Sequence, residues 1–368
     1  MPVVFFYISG HGFGHAVRQI EIINTLQDLA PDLNVVVRTS APEWLFSRTV
    51  RRACTRLPGE TDTGVVQIDS LRPDPHQTIV RAAAFHDRLP RRIDEEVATL
   101  RRYGADFVVS DAPPLACAAG RAAGIKSVLC ANFTWDWIYA DYIADYPPAS
   151  PLLSSVQEAY ACASAAWRMP MHGGFETIAP IIDIPFVSRH ARSPRADTRR
   201  ILRLPSGQPL ALVSFGGFGL RDLPLETLDC LPHWGIVLTT TTDPPRLPVG
   251  VHAVSEAEMY EAGLRYEDLV RAVDVVVTKP GYGIVSDCVA NDTAIVYTSR
   301  GRFPEYQVMV REMPRVLRCR HLEMESFAEG RWKAALDEAV QMAGPSERVR
   351  TDGAHVVARS ILGHLAAS

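Results

Sequence analysis

The chain of 368 residues contains very little lysine. Lysine occurs only as Lys126, Lys279 and Lys333, so arginine supplies nearly all of the 38 basic side chains. Basic and acidic residues almost cancel, with a net charge of -4 and a pI of about 6.3. This balance provides no electrostatic basis for binding nucleic acid or an anionic membrane, and we expect neither partner. The rarity of lysine draws attention to Lys279, which lies beside a glycine-rich turn.

Disulfide frameworks, zinc sites and membrane spans also find no support in the sequence. The seven cysteines are odd in number and form no Cys-x-x-Cys pair or Cys/His cluster. We therefore expect buried thiols in a reducing compartment and no metal site. No apolar run reaches the ~18 residues that suggest a membrane-spanning helix, and the first residues enter a strand without a basic leader. These features predict a cytoplasmic protein without a transmembrane segment, and they leave the oligomeric state open.

Strand and helix signals alternate along both halves of the chain. Continuous apolar runs typical of strands buried on both faces occur at 3–9, 34–39, 65–68, 106–111, 127–131, 210–215, 235–238, 274–278 and 294–297. A chain of this length exceeds the ~250–300 residues at which one core usually stops growing. Proline and a run of charges between about 183 and 200 indicate a linker. We therefore predict domains at 1–184 and 185–368, with the last helix as a candidate to pack back on the N-terminal domain.

Glycine-rich turns near both ends of the chain each follow a strand and precede a helix. The first is SGHGFGH at 9–15, and the second is TKPGYGIVSD at 278–287. A turn with few side chains lets backbone N–H groups and a helix N-terminus approach an anionic or polyhydroxylated ligand. A third such turn, SFGGFG at 214–219, opens the second domain. The pattern predicts two nucleotide-binding-like α/β domains that face a shared cleft.

Several stretches together resemble a known family. They are SGHGFGHA at 9–16, VSD at 109–111, NFTWDWIYA at 132–140, IDIP at 182–185 and KPGYGIVSD at 279–287. The paired turns resemble GT-B glycosyltransferases of the branch that contains the murein-pathway N-acetylglucosaminyltransferase. The whole set is similar to the glycosyltransferase-like N-terminal region of plant L-arabinokinases, and the tryptophan-rich run is its most diagnostic match. The resemblance implies an α/β protein with the GT-B fold, in which two Rossmann-like doubly wound domains face a central cleft.

The same resemblance implies a nucleotide-sugar-dependent glycosyltransferase. It would move a sugar from a donor, UDP-type by preference, to a small-molecule acceptor, inverting and without metal or cofactor, with the nucleotide sugar as co-substrate. The chain ends where the plant proteins continue into a sugar-kinase domain, so kinase activity is not expected. Two alternatives stay open. A nucleotide-sugar 2-epimerase would form an isomer without an acceptor, and a regulatory module would bind nucleotide sugar without consuming it.

The predicted site residues fall into three groups. The predicted catalytic residues are His15, Asp111 and Asp136. Those predicted to bind the donor are Gly12, Gly14, Gly216, Gly217, Lys279, Gly281, Tyr282, Gly283, Ser286, Asp287, Arg300 and Glu305. Those predicted to bind the acceptor are His11, Trp135 and Trp137. An imidazole in the first turn of a helix, as expected for His15, can take the proton of an acceptor hydroxyl.

Simpler structural roles compete with several of these assignments. Asp111 could cap the helix that begins near residue 113. One of the two tryptophans could pack at the domain interface instead of forming a platform for an acceptor. Asp287 matches a family position that binds ribose but usually carries glutamate, which is one methylene longer, and its simpler interpretation is a solvent-facing charge. Arg300 could form an ordinary surface ion pair instead of neutralising a diphosphate.

Overall fold

Parallel strands covered by helices build both halves of the chain. The computed structural model describes residues 1–69, 71–215, 231, 233–240 and 247–367. The strands of the N-terminal sheet are β1 (Val3–Ile8), β2 (Asn34–Thr39), β3 (Thr55–Pro58), β4 (Phe107–Asp111), β5 (Ser127–Phe133), β6 (Ala165–Gly173) and β7 (Ile181–Asp183). Their order is β3-β2-β1-β4-β5-β6-β7, and every pair is parallel.

The second sheet repeats this architecture. Its strands are β8 (Leu210–Ser214), β9 (Gly235–Thr240), β10 (Val251–Ser255), β11 (Val275–Thr278), β12 (Ala294–Tyr297) and β13 (Cys319–His321). The order is β10-β9-β8-β11-β12-β13, again with parallel pairs only. The sequence order reverses direction beside β1 in one sheet and beside β8 in the other. In open α/β sheets such reversal points open a crevice for ligands at the carboxyl ends of the strands.

Helices connect the strands and cover the sheets. In the first half they are α1 (Gly14–Leu29), α2 (Glu43–Thr49), α3 (Pro75–His86), α4 (Leu89–Tyr103), α5 (Pro114–Ala123), α6 (Trp135–Ile143) and α7 (Ser150–Tyr160). In the second half they are α8 (Arg195–Ile201), α9 (Glu256–Glu261), α10 (Tyr266–Ala272), α11 (Tyr282–Asn291), α12 (Pro304–Val316), α13 (Met324–Ala328), α14 (Lys333–Gln341) and α15 (Gly353–Ala366). The central strands are buried on both faces, which explains their continuous apolar runs. The predicted α/β class with two doubly wound sheets is confirmed.

One predicted strand is wrong. The apolar run at 65–68 joins no sheet and forms only an isolated antiparallel bridge between Gln67 and Pro73. The third strand of the N-terminal sheet is β3, which lies at the edge and has exposed or half-buried side chains. An edge strand with little burial has no continuous apolar run, and its sequence signal is correspondingly weak.

The chain passes between the two domains twice, near Val187 and again near Asp352, and the two crossings lie side by side. Near Val187 it leaves the N-terminal domain, and Val187 pairs in a bridge with Asp352, which precedes α15. Helix α15 then packs against α1, and its His364 ring stacks on Phe107 of the N-terminal sheet with centroids 5.2 Å apart. The C-terminal helix therefore belongs spatially to the N-terminal domain.

Gly353 is expected to be essential for this crossing. A Cβ atom there would lie 2.3 Å from the carbonyl oxygen of Pro185, a backbone atom that cannot easily move. Gly353→Ala should lower the free energy of unfolding by about 3 kcal/mol in urea denaturation. Gly363, in the same helix, has no atom within 4 Å of an added Cβ. Gly363→Ala should be neutral or stabilising by up to about 1 kcal/mol, and equal effects of the two variants would contradict this explanation.

Candidate functional site

The two glycine turns meet where the domains face each other. The first turn contains Gly12, whose φ of +67° is easily adopted only without a side chain, and leads into α1 at Gly14. The second leads into α11. A Cβ atom added to Gly283 would lie 3.4 Å from the Cα atom of Gly14. The two turns therefore touch backbone to backbone, and the surrounding residues form a site between the domains.

His15, in the first turn of α1, is paired with a buried carboxylate. Its Nδ1 atom lies 2.9 Å from Oδ1 of Asp111, the last residue of β4. His15 is 6% exposed and Asp111 is completely buried. When Nδ1–H donates to the carboxylate, the lone pair of Nε2 stays available to accept a proton. The predicted residues His15 and Asp111 thus come together in the geometry of a general base and its orienting partner.

A strained turn aims Asp111 toward α1. The next residue, Ala112, has a φ of +71°, which is unfavourable for a residue with a Cβ atom. The Tyr160 hydroxyl donates to the Ala112 carbonyl and helps to hold this conformation. Helix α5 begins after Pro113 without a side-chain cap, so Asp111 does not have the capping role that the sequence left open. Strained backbone at such a position is common at functional sites.

Arg18 compensates the charge of Asp111. Its Nε donates to Oδ2 of Asp111 at 2.6 Å, a second guanidinium nitrogen contacts Oδ1, and Gln19 Nε2 donates to Oδ2 at 2.9 Å. Burial acts to raise the pKa of Asp111, but Arg18 and His15 overcome it and lower the pKa to about 2. Asp111 is therefore a carboxylate throughout the neutral range, fixed by donors on α1.

A chain of buried hydrogen bonds continues from Arg18 into the C-terminal domain. Arg18 donates to the Asn132 side-chain oxygen at 2.6 Å, and Asn132 Nδ2 donates to Glu305 Oε1 at 2.8 Å. Glu305, in the first turn of α12, also accepts from Arg300 at 2.6 Å. The predicted donor-site residues Arg300 and Glu305 are thus linked to the His15–Asp111 pair, and Arg300 forms an internal ion pair, not a surface one.

Cationic groups lie beside the start of α11. Burial, together with the positive charge of Arg300, lowers the pKa of Lys279 to about 7. Arg300 approaches the second turn closely enough that a Cβ at Gly281 would lie 3.8 Å from its guanidinium. No side chain caps α11 at Gly281. Lysine, arginine and uncapped backbone N–H groups together are typical of a site for a diphosphate.

Aromatic rings form the wall on the other side of His15. The His11 ring stacks on Phe303 with centroids 6.1 Å apart and meets the edge of Trp135 at 5.6 Å. The His11 Nδ1 accepts a hydrogen bond from the Val65 backbone N–H at 3.3 Å. Burial lowers the pKa of His11 well below its usual value, and the charge of His15 adds to the effect. His11 therefore stays neutral, and its Nδ1 is used by a backbone hydrogen bond.

Comparison with known proteins gives one sequence relative and many structural ones. No family model matches the chain. An L-arabinokinase from Arabidopsis thaliana is 29% identical over 382 residues, a match that covers 99% of this chain and 35% of that protein. The chain thus spans about a third of the length of the curated relative, in its N-terminal part.

Solved structures identify the architecture. The glycosyltransferase of kitacinnamycin is 17% identical with a TM-score of 0.66, and the match covers 99% of this chain and 100% of that one. The fold is GT-B. UGT2 of Phytolacca americana, complexed with UDP-2-fluoro-glucose and pterostilbene, has a TM-score of 0.58 at 12% identity, with 98% of this chain and 94% of that one covered. At these identities the likeness shows the fold alone.

Within this GT-B fold, Asp287 faces the linker instead of the cleft. It is 1% exposed and accepts hydrogen bonds from the Arg189 backbone N–H and Nε, both at 3.1 Å. Arg189 lies 3.4 Å from Glu267 as well. The solvent-facing alternative for Asp287 is therefore wrong. Its ribose contact stays a prediction that requires Arg189 to move.

Two further donor-site predictions fall on residues with internal bonds. The Tyr282 hydroxyl accepts from the Val187 backbone N–H at 3.0 Å and so points to the linker. Ser286 Oγ donates to the Gly283 carbonyl at 2.9 Å, within α11. The Tyr282 bond therefore connects α11 to the linker, whereas the Ser286 bond lies within the first turn of α11. Gly216 and Gly217 lie outside the described residues.

The tryptophan-rich segment of α6 contributes less to the site than predicted. Trp135 is completely buried, so it presents no face to an acceptor, and its packing role is the one observed. Trp137 is half-buried and covers Gly173, where a Cβ would lie 2.4 Å from the indole ring. The structure corrects the prediction that Asp136 is catalytic. Asp136 is buried, which raises its pKa, and its neighbours are Thr134 and Gln157, not His15. The helix positions Trp135 against the site and turns Asp136 away from it.

Three site residues were missed by sequence reasoning. Arg18 and Asn132 form the buried chain between the domains, and Asp62 accepts from the Trp135 indole N–H at 2.8 Å. Arg18 lies one helical turn after His15, a spacing that could have signalled a shared partner. Asp62 lies in an irregular loop without such a signal.

Searches for metal clusters and membrane spans cover only the described residues. Among them, no group of three or more His, Cys, Asp or Glu side chains is arranged to hold a metal ion. No described helix combines the length and apolar character needed to cross a bilayer.

Proposed function

We propose that this chain is a glycosyltransferase that moves a sugar from a UDP-type nucleotide sugar to a hydroxyl group of a small-molecule acceptor. The observation that carries the proposal is the His15–Asp111 pair, with Nδ1 and Oδ1 2.9 Å apart, at the contact of the two glycine turns. Support also comes from the GT-B fold, since one structural neighbour is complexed with UDP-2-fluoro-glucose and pterostilbene. The donor would bind the C-terminal domain and the acceptor the N-terminal domain.

The proposed reaction is a single displacement. The proton of the acceptor hydroxyl goes to Nε2 of His15 while the acceptor oxygen forms a bond to the anomeric carbon. The bond from that carbon to the diphosphate breaks, and its electron pair leaves on the diphosphate oxygen. Attack from the side opposite the diphosphate inverts the configuration. Lys279, Arg300 and the start of α11 would stabilise the leaving charge, which makes a metal ion unnecessary.

Lys279 gives a direct test of the donor site. At pH 8 this lysine is mostly neutral because its pKa is lowered to about 7 by burial and by Arg300. A diphosphate beside it favours the charged form, so Lys279 should take up a proton from solvent when UDP-glucose binds. Isothermal titration in buffers of different ionisation enthalpy measures that uptake. Lys279→Met should abolish it and weaken binding roughly 10- to 100-fold.

Lys333 provides the matched control for this titration. It is exposed on α14 and pairs with Asp337, so Lys333→Met should bind as the wild type does. If the two variants have the same affinity and the same proton uptake, Lys279 does not belong to the donor site. Failure of UDP-, GDP- and dTDP-sugars alike to bind would contradict the proposed function.

Product analysis then separates the remaining candidates. Release of nucleoside diphosphate, with transfer or slow hydrolysis of the sugar, supports the transferase. Formation of an isomeric nucleotide sugar without an acceptor would indicate a 2-epimerase. Binding of nucleotide sugar without its consumption would indicate a regulatory module. This alternative deserves a test because Asp287, the predicted ribose contact, is already hydrogen-bonded to Arg189.

A further inference from the structure

Asp62 is a buried carboxylate that only neutral groups hold. It lies between β3 and α3 and is 7% exposed. Its Oδ1 accepts from the Ser9 hydroxyl at 2.9 Å, and its Oδ2 accepts from the Trp135 indole N–H at 2.8 Å. Among the residues that the structure describes, no arginine or lysine forms an ion pair with it. Burying a charge without a counter-ion costs free energy, so the presence of Asp62 at this position needs an explanation.

The contacts of Asp62 converge on the histidine turn. Ser9 Oγ, which donates to Asp62, accepts the His11 backbone N–H at 3.1 Å. The Trp135 ring, fixed by its bond to Asp62, lies with its centroid 6.2 Å from that of His15. One carboxylate thus holds the glycine turn and α6 in register around His15.

Asp62 differs from the other carboxylates around His15 in the balance of charge. The Asp111 carboxylate is compensated by the Arg18 guanidinium, and the pair as a whole is close to neutral. The charged and titratable groups around this pocket include groups of both domains: Asp111 from β4, Arg18 from α1, His11 from the turn, Asp62 from its loop, Tyr139 from α6, Tyr160 from α7, and Lys279, Arg300 and Glu305 from the C-terminal domain. Within this set, Asp111 and Glu305 are each paired with an arginine. Asp62 is held by neutral donors, and one of them, Trp135, lies against His15.

We propose that Asp62 is a positioning residue that stabilises the imidazolium formed when His15 takes the acceptor proton. The proposal rests on the role of His15 as the base in the proposed function. The proton moves from the acceptor oxygen to Nε2 of His15 and afterwards to solvent, and Asp62 exchanges no proton with the substrate. Its effect is electrostatic, together with the placement of Trp135 and Ser9.

The ionisation of Asp62 fits this role. Burial raises the pKa of Asp62 to about 6, although its hydrogen bonds to Trp135 and Ser9 and the charge of His15 act in the opposite direction. The group is therefore charged at neutral pH and loses its charge below about pH 6. Two groups that interact in this way titrate as a coupled pair.

Nuclear magnetic resonance of the free protein tests the proposal. The ring nitrogens of His15, assigned by their absence in His15→Asn, are followed against pH in the wild type and in Asp62→Asn. Asparagine can accept from Trp135 and donate to Ser9 Oγ, so it can keep both contacts, with the direction of the Ser9 bond reversed, while it removes the charge. The titration midpoint of the His15 ring should move to lower pH by roughly one unit. The wild-type curve should also show a second inflection near pH 6, where Asp62 titrates.

Asp136→Asn is the matched control, because this buried carboxyl is also near Trp135 in sequence but faces Gln157. It should leave the His15 midpoint in place. A folded Asp62→Asn variant with an unchanged midpoint would overturn the proposal. If that variant does not fold, a wild-type curve without the second inflection overturns it equally. The titration is carried out without donor or acceptor. If the His15 midpoint shifts as expected in Asp62→Asn but the protein has no transferase activity, the result counts against the proposed function and not against the role of Asp62.

Discussion

Replacing His15 by asparagine is expected to slow sugar transfer by about 10²- to 10⁴-fold, the usual contribution of general acid–base catalysis. The asparagine amide nitrogen can donate to Asp111 in place of the imidazole Nδ1, so the buried carboxylate keeps this partner. Only the group that accepts the substrate proton is lost. Donor affinity and melting temperature should therefore stay close to those of the wild type. Initial rates with UDP-sugar, by transfer or by donor hydrolysis, provide the measurement.

His172 supplies the comparison for this variant. It is an exposed histidine of β6 whose ring contacts Phe175. His172→Asn should transfer at the wild-type rate. A His15→Asn variant that does the same would show that the base lies elsewhere. One that unfolds or loses nucleotide binding would make His15 a structural residue or a phosphate contact.

Replacing Arg18 by methionine should produce the largest loss of stability in the site, about 3–5 kcal/mol in the free energy of unfolding. Methionine retains much of the length of the side chain but leaves Asp111, which is completely buried, without its counter-ion. Urea denaturation at neutral pH measures the effect. In the wild type the low pKa of Asp111, about 2, stabilises the fold above the ordinary carboxyl range, and this contribution is lost as the pH falls toward 2. The difference in the free energy of unfolding between Arg18→Met and the wild type should therefore become smaller in acid.

Two comparisons test whether an uncompensated charge causes the loss. Adding Asp111→Asn to Arg18→Met removes the unpaired charge, so the double variant should recover part of the stability. Arg168→Met breaks a more exposed ion pair with Asp183 and should cost no more than about 1 kcal/mol. If the double variant is no more stable than Arg18→Met, lost packing and not charge explains the effect.

The architecture could be predicted from sequence because it depends on local patterns. Apolar runs indicated the central strands, and the two glycine turns indicated where strands end and helices begin. Shorter elements with mixed burial, such as β3 and β10, have no run of this kind. Their places in the sheets depend on pairing with neighbouring strands, which a local pattern does not encode.

The site could be predicted only in part, because the partners of buried charges are distant in sequence. The turn indicated His15, but the structure was needed to show that Arg18 and Asp111, 93 residues apart, form a pair. The same holds for Asp287, whose place in α11 followed from the motif while its partner Arg189 comes from the linker. Asp62 had no sequence signal, since a lone aspartate in a loop is most often solvated.

The contact between Gly14 and Gly283 acts as a mechanical stop for the approach of the domains. Main-chain atoms meet there with no side chain between them, so the limit of approach does not depend on rotamers. One added methyl group at Gly283 would lie 3.4 Å from the Cα atom of Gly14, an ordinary van der Waals distance, and would fill the space between the two turns. At this point the separation of the two domains is therefore set by main-chain atoms, with room for no more than a methyl group between them.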